Sequence, residues 1–259
     1  MSLRKQILCY DRVSVINGKD LCMFATSPPL PRPTSSGNLA PVSLTVLNMA
    51  ASVIIRGPRR SLQLFAASAF LAAGAEIIAI RGTRILRHHT RPQIAELPLT
   101  IPLGWYGFIA PAYGLAQAAV GDRGPTAVAC VTALLATATD VANDPWGLAS
   151  GFWEWRDGGP YMPDIVGSNG VAGIPVGNYA GWLIIAASAA LLGEIGRPPG
   201  EIVAARRLRS PLLFLYLILG LAGIGWAGKE RRWRLLAASI TTVVGGGTAA
   251  WLKAQPIPS

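Results

Sequence analysis

Three acidic residues in apolar surroundings are the strongest candidates for chemistry in this chain: Glu76, Asp140 and Asp144. Asp140 and Asp144 are four residues apart, so they share one helix face if the helix persists that far. Pro145 disfavours helical geometry at Asp144, and we therefore expect the helix to end at Asn143 or Asp144. Two close carboxyls in apolar surroundings can provide a general acid beside an ionised base.

Each acid also has a purely structural explanation. Asp140 could bond to neighbouring backbone or pair with an arginine, and Asp144 could cap a turn. Glu76 is near the end of an apolar segment, where a carboxylate facing lipid is costly, so we expect it to face the protein interior.

Aromatic residues surround the two aspartates along the chain. They could line a pocket for a long apolar or polyene ligand and stabilise a developing cation, or they could form the belt typical of membrane interfaces. Asn178 could orient water or an acid, although capping a helix start explains it equally well. The candidate substrate-binding residues are Trp105, Trp146, Trp153, Trp155, Tyr161, Asn178 and Trp182.

The composition indicates a membrane protein. Of the 259 residues, 51% are hydrophobic and only 14% are charged, whereas soluble domains have about 25% charged residues. The net charge of +10 comes from basic residues in short loops beside apolar runs, where lysine and arginine anchor membrane segments. This pattern argues against a nucleic-acid partner.

Metal and cofactor motifs are missing from the sequence. The three cysteines show no CxxC spacing, so neither a disulfide framework nor a zinc site is indicated. The two histidines, His88 and His89, are adjacent, which excludes the histidine boxes of a membrane di-iron oxygenase. They are expected at the interface rather than as ligands, and we predict no metal and no cofactor.

Apolar segments separated by basic loops predict an all-α fold, a polytopic transmembrane helix bundle with one long aromatic loop over 145–176. Gly177 and Gly181 have the small-xxx-small spacing that allows close helix approach. We expect a disordered N-terminal arm over 1–38, a single transmembrane domain over 39–254 and a tail over 255–259. Six spans are predicted over 61–80, 97–120, 125–143, 177–194, 210–227 and 235–252, with a seventh candidate over 40–55.

Several motifs in order resemble the carotenoid biosynthesis protein family, which includes membrane hydratases of the bisanhydrobacterioruberin and γ-carotene type. The similarity covers about residues 62–195. After Glu76 the chain departs from the family's usual Gly- and Tyr-rich stretch and carries Arg84-Ile-Leu-Arg87-His-His. The matching motifs are Ala75-Glu76-Ile-Ile, Pro98-Leu-Thr-Ile-Pro102-Leu-Gly-Trp105, Asp140-Val-Ala-Asn-Asp144-Pro145, Gly151-Phe-Trp153-Glu-Trp155, Gly159-Pro-Tyr161, Gly173-Ile-Pro175 and Asn178-Tyr-Ala-Gly181-Trp182.

The resemblance implies an enzyme that hydrates the terminal C1–C2 double bond of an acyclic carotenoid end. Its chemistry needs an acid, a base and a pocket that tolerates a cation. We assign the acid to Asp140 and the positioning of water to Asp144 or Glu76. Trp153 or Trp155 would line the pocket beside the carbocation that forms at C1. The expected partners are an acyclic carotenoid or another polyene lipid, the bilayer of a bacterial or archaeal cell, and other carotenoid enzymes.

The sequence is also compatible with two other functions. A non-enzymatic carotenoid- or isoprenoid-binding membrane protein would need the aromatic residues but not the acids. A small proton-coupled transporter would use Glu76 and Asp140 as a relay, although the sequence shows no inverted repeat.

Overall fold

The fold is a helix bundle with two small antiparallel sheets. A computed structural model describes residues 39–156 and 173–254 of the chain, so the predicted arm, the tail and Tyr161 lie outside the described residues. The prediction of a helical bundle is confirmed. The helices are α1 (Leu39–Ile77), α2 (Thr100–Val120), α3 (Pro125–Ala149), α4 (Val176–Glu194), α5 (Pro199–Arg207), α6 (Arg209–Lys229), α7 (Trp233–Ser239) and α8 (Gly246–Lys253). The strands are β1 (Leu86–His88), β2 (Gln93–Ile94), β3 (Leu97–Pro98) and β4 (Trp153–Trp155).

Helix α1 is folded back on itself at Gly57. This residue has φ 76° and ψ 167°, a conformation that glycine accommodates without steric cost. The hydroxyls of Ser52 and Ser61 are hydrogen-bonded at 2.9 Å, whereas nine residues of straight helix would separate them by about 13.5 Å. The segments before and after Gly57 are therefore two arms of a hairpin, and the candidate segment over 40–55 lies within the first arm.

The predicted number of six or seven spans is not confirmed. Over residues 39–156 and 173–254, five helical segments are long and apolar enough to cross a membrane. They are Thr45–Gly82, which includes the hairpin at Gly57, Pro125–Ala149, Val176–Glu194, Arg209–Lys229 and Trp233–Lys253. The predicted span over 97–120 forms helix α2, which is not among the five because proline, glycine, tyrosine and tryptophan lower its hydropathy. Most of α2 is buried against other helices.

The first arm of α1 is joined to α2 by side chains that bond to backbone carbonyls. Thr45 Oγ1 donates to the Leu103 carbonyl at 2.9 Å, and Asn48 Nδ2 donates to the Gly107 carbonyl at 2.9 Å. Leu64, Tyr106 and other buried side chains form the core around α2. Helix α2 is thus the central element of the bundle.

Helix α3 does not end before Pro145 as predicted but continues to Ala149. Proline lacks a backbone N–H and so removes one helical hydrogen bond. Packing of the turn that follows Pro145 offsets this loss. Leu148 is buried in a small second core. The Trp153 indole lies so close to the backbone that a Cβ at Gly147 would be 2.1 Å from it. Asp140 and Asp144 consequently lie on one continuous helix.

The close helix approach predicted at Gly177 and Gly181 is wrong. Among the described residues, nothing lies within 4 Å of a Cβ built at either glycine. The tight contact is instead at Gly223 of α6, where a Cβ would be 1.8 Å from the carbonyl oxygen of Ala142 in α3. Small-residue spacing permits close approach, but the position of the neighbouring helix determines which glycines are used.

Strands β1 and β4 connect the basic loop after α1 to the start of the aromatic loop. Leu86 pairs with Trp155, Arg87 with Glu154, and His88 with Trp153. Below them lies the second core, formed by Ile80, Leu86, Leu97, Leu148, Trp155 and Ile174. We call the β1–β4 ribbon together with this core the cap, and it covers the end of the bundle that carries the three acids.

Candidate active site

The two aspartates of α3 are buried and bound to the same amide. Asn178 Nδ2 donates to Asp144 Oδ2 at 2.8 Å and to Asp140 Oδ2 at 3.1 Å. Asp140 is 5% exposed and Asp144 is 4% exposed. Since Asn178 lies in the first turn of α4, the packing of α3 against α4 brings the three side chains together.

Glu76 approaches the same region from the second arm of α1. Its Oε1 accepts a hydrogen bond from Trp105 Nε1 at 3.2 Å, and its Oε2 lies 3.0 Å from His88 Nε2. Its carboxyl lies within electrostatic range of both aspartates. The expectation that Glu76 faces the protein interior therefore agrees with its position.

Two tryptophans from different helices stack beside Glu76. The rings of Trp105 in α2 and Trp182 in α4 are 3.5 Å apart between centroids, with 15° between their planes. Phe108 meets Trp182 edge to face. The stack places a flat aromatic wall next to the Trp105 N–H that binds Glu76.

Trp153 of the cap packs against helix α3 one turn beyond Asp144. Its indole packs on Gly147 of α3, and its ring meets His88 edge to face at 6.1 Å. Its Nε1–H interacts with Asp144, although the geometry falls short of a hydrogen bond. Trp153 therefore contacts the helix that carries the two aspartates.

The other predicted aromatic residues have different surroundings. Trp155 is buried in the second core, where its main contribution is packing. Trp146 is partly buried and meets Phe152 edge to face at 5.4 Å. Tyr161 lies outside the described residues, so its predicted role stays a prediction.

Sequence reasoning missed His88 and Tyr179. His88 was expected at the interface, but its side chain is buried and bonded to Glu76. The alternation of buried and exposed residues in β1 could have indicated that His88 points inward, had the strand been predicted. Tyr179 follows Asn178, and its buried hydroxyl interacts electrostatically with both aspartates.

A second buried polar cluster lies at the other end of the bundle. Glu201 Oε1 accepts bonds from Arg56 Nε at 3.2 Å and Gln117 Nε2 at 2.8 Å. Gln117 Nε2 also donates to Glu194 Oε1 at 3.1 Å, and Arg197 Nε donates to Glu194 Oε2 at 2.6 Å. Its acids are thus paired with cations and amides, so this cluster serves to hold the helices together. Over residues 39–156 and 173–254, no group of three histidine, cysteine or acidic side chains is arranged to hold a metal ion.

The sequence of the chain was compared with known families and proteins. The profile of the family described as "Carotenoid biosynthesis protein" matches residues 38–246. The chain belongs to this family. All the described site residues, from Glu76 to Trp182, lie within the matched region.

The chain is also similar to the bisanhydrobacterioruberin hydratase of Haloarcula japonica. This hydratase is 30% identical to this chain over 105 residues, which is 40% of this chain and 32% of that protein. The chain therefore matches about a third of the length of this relative. No solved structure matches the chain.

Proposed function

We propose that this family member is a membrane enzyme that hydrates the terminal C1–C2 double bond of an acyclic carotenoid end. The observation that carries the proposal is the buried carboxyl pair joined by the Asn178 amide. Family membership supports a carotenoid as substrate, and similarity to the Haloarcula hydratase supports hydration.

The chemistry begins with a proton because water does not attack an unactivated alkene. Asp140 donates its proton to C2, which leaves a tertiary cation at C1. Water then adds at C1, and Asp144 or Glu76 positions it and takes its proton. Because the carboxyls are shielded from bulk water, a general acid can remain protonated beside an ionised base.

The aromatic residues supply the surroundings that a cation requires. Trp153 packs one helical turn from Asp144, and its π face would stabilise positive charge at C1. The Trp105–Trp182 stack provides a flat apolar wall along which a polyene could lie. Trp146 is proposed as a further contact with the substrate, which would enter from the bilayer.

The proposal is tested by pigment analysis in cells that accumulate lycopene. Expression of the chain should give products heavier by one water, detected by mass spectrometry. Asp140→Asn should lower their formation about 10²- to 10⁴-fold because it removes the general acid. The matched control is Asp122→Asn, since this side chain is exposed and pairs with Arg206.

Two outcomes would count against the proposal. Full hydration by the Asp140→Asn variant would exclude Asp140 as the acid. Carotenoid binding without any hydrated product, unchanged after replacement of Glu76, Asp140 and Asp144 together, would favour a carotenoid-binding protein, for which the Trp105–Trp182 stack would be sufficient.

A further inference from the structure

Two nitrogen atoms hold the carboxyl group of Glu76, one at each oxygen. Trp105 Nε1 donates to Oε1 at 3.2 Å, and His88 Nε2 lies 3.0 Å from Oε2. The side chain of His88 is only 3% exposed, and that of Glu76 is 14% exposed. An indole nitrogen can only donate, so Oε1 is an acceptor. The protonation state of Glu76 then depends on which atom carries the hydrogen between Oε2 and His88.

The second nitrogen of His88 indicates where that hydrogen lies. Nδ1 is buried and has no hydrogen-bond partner within the described part of the chain. A neutral imidazole carries one hydrogen, and the hydrogen bonds of its two nitrogens decide which one bears it. A hydrogen on Nδ1 would be an unpaired buried N–H, which is rarer in proteins than an unpaired acceptor. We therefore assign the hydrogen to Nε2, and since both of its oxygens then accept, Glu76 is a carboxylate.

The two aspartates have a different environment. A single neutral amide, that of Asn178, donates to both Asp140 and Asp144. Two carboxyls this close in a buried site disfavour double ionisation, so the pair retains a proton that can be transferred. The site thus contains one carboxyl that stays charged and a pair that can give and take a proton.

A first path of contacts joins Glu76 to this pair. The Trp105 ring, whose N–H binds Glu76, stacks on Trp182 at 3.5 Å between centroids. Trp182 lies one turn after Asn178 on the same face of α4, and Asn178 Nδ2 donates to Asp144 Oδ2 at 2.8 Å. Glu76 and Asp144 are therefore connected through α2 and α4.

A second path of contacts runs through the cap. His88, which is bonded to Glu76, meets the Trp153 ring edge to face at 6.1 Å. Trp153 packs on Gly147, which follows Asp144 by three residues on the same face of α3. The two paths form a closed ring of contacts in which three residues separate Glu76 from Asp144 on either side. A substrate end enclosed by this ring would lie between a fixed negative charge and the acid pair.

We propose that Glu76 is the fixed counter-ion of the C1 cation and that Asp144 is the base. This inference rests on the proposed function. The proton of Asp140 forms a C–H bond at C2 with the alkene electron pair, leaving the cation at C1. A lone pair of water forms the C1–O bond, and the released proton passes to Asp144. Glu76 keeps its charge because its two hydrogen bonds stabilise the ionised form, and a preorganised charge acts strongly on a charge that develops in a water-excluded site.

The roles of the two carboxyls can be separated by the fate of the cation in D₂O. The cation either gains water or loses a proton from C2, and the second fate leaves deuterium in the recovered lycopene. Glu76→Gln removes the charge and should lower both reactions about 10²- to 10³-fold with their ratio unchanged, because both need the cation. Asp144→Asn should raise the ratio of exchange to hydration about 10²-fold. Mass spectrometry of lycopene incubated with membranes measures both reactions, and Glu96→Gln at an exposed side chain is the control.

Ligand binding tests the charge of Glu76 without any turnover. The probe is a polyene that ends in a dimethylammonium group, in which a positively charged nitrogen replaces C1, and lycopene is the neutral reference. An analogue of the cation binds tightly where a site stabilises that cation. Glu76→Gln should weaken binding of the ammonium probe about 10- to 100-fold and leave lycopene binding at the wild-type value. Tryptophan fluorescence measures both affinities on folded protein isolated in detergent by size-exclusion chromatography.

Other results would overturn the inference. Unchanged binding of the ammonium probe by folded Glu76→Gln, or equal weakening of both ligands, would show that the Glu76 charge does not act on a cation. A raised ratio of exchange to hydration in Glu76→Gln would identify Glu76 as the base, while the hydration proposal stands. Neither hydration nor exchange by the wild-type protein refutes the proposed function, and this inference with it.

Discussion

At the scale of single residues, a neutral amide holds the acid pair together. Asn178 donates to both Asp140 and Asp144. An arginine in the same place would favour two ionised carboxylates, because each would gain from its positive charge. An amide lets one carboxyl keep a proton while the other is ionised, which general acid–base catalysis requires.

His88 supports the third acid, and its replacement tests this role. His88→Asn should lower hydration about 10- to 100-fold, because a hydrogen bond to a charged group contributes about 1.5–3 kcal/mol and this one orients Glu76. The rate of hydration in membranes measures the effect. His89→Asn is the matched control, since this histidine is directed at Glu154. Equal hydration rates in the two variants would show that hydration does not depend on the Glu76–His88 contact.

At the scale of elements, the contact between α3 and α6 keeps the acids in place. Gly223 of α6 lies against the carbonyl of Ala142, which is between the two aspartates in sequence. Asn143 Nδ2 donates across the same contact to the Leu219 carbonyl at 2.8 Å. The helix that bears the acids is thereby fixed by both packing and a hydrogen bond.

A methyl group at this contact should separate the two helices. Gly223→Ala should destabilise the protein by about 1–3 kcal/mol through overpacking and should also lower hydration. Gly225→Ala in the same helix should change little, because its Cβ would meet nothing within 4 Å among the described residues. Thermal unfolding in detergent compares the two variants, and equal stability would contradict the close contact.

At the scale of the whole molecule, the bundle has the proposed active site at one end and an ion-paired cluster at the other. Helix α4 carries Asn178 in its first turn and Glu194 at its last residue. Sixteen residues at 1.5 Å separate them by about 24 Å. The acids near Asn178 are therefore remote from the ion-paired cluster that contains Glu194.

This separation predicts that the two ends respond differently to mutation. Glu201→Gln should lower the unfolding free energy by about 3–5 kcal/mol, because it leaves the buried Arg56 without its charged partner. Hydration per folded molecule should stay near the wild-type value. Thermal unfolding in detergent and a hydration assay normalised to folded protein measure both effects. The exposed Glu230 supplies the control, Glu230→Gln, and a variant of Glu201 as stable as this control would contradict the structural role.

The sequence by itself determined the features that depend on nearby residues. Low charge and apolar segments indicated a membrane helix bundle, and the spacing of Asp140 and Asp144 singled out the acid pair. These features follow from composition and helical period, which are local properties. Glu76 was a candidate as an acid in an apolar segment, and Trp182 was a candidate as one of the aromatic residues that surround the aspartates along the chain.

Only the tertiary structure decided how these residues meet. The helix was expected to end before Pro145, but packing of Leu148 and Trp153 carries it to Ala149. The inward position of His88 depends on the pairing of β1 with β4, which no local pattern specifies. Such contacts join residues far apart in the chain, and their energy depends on which elements become neighbours.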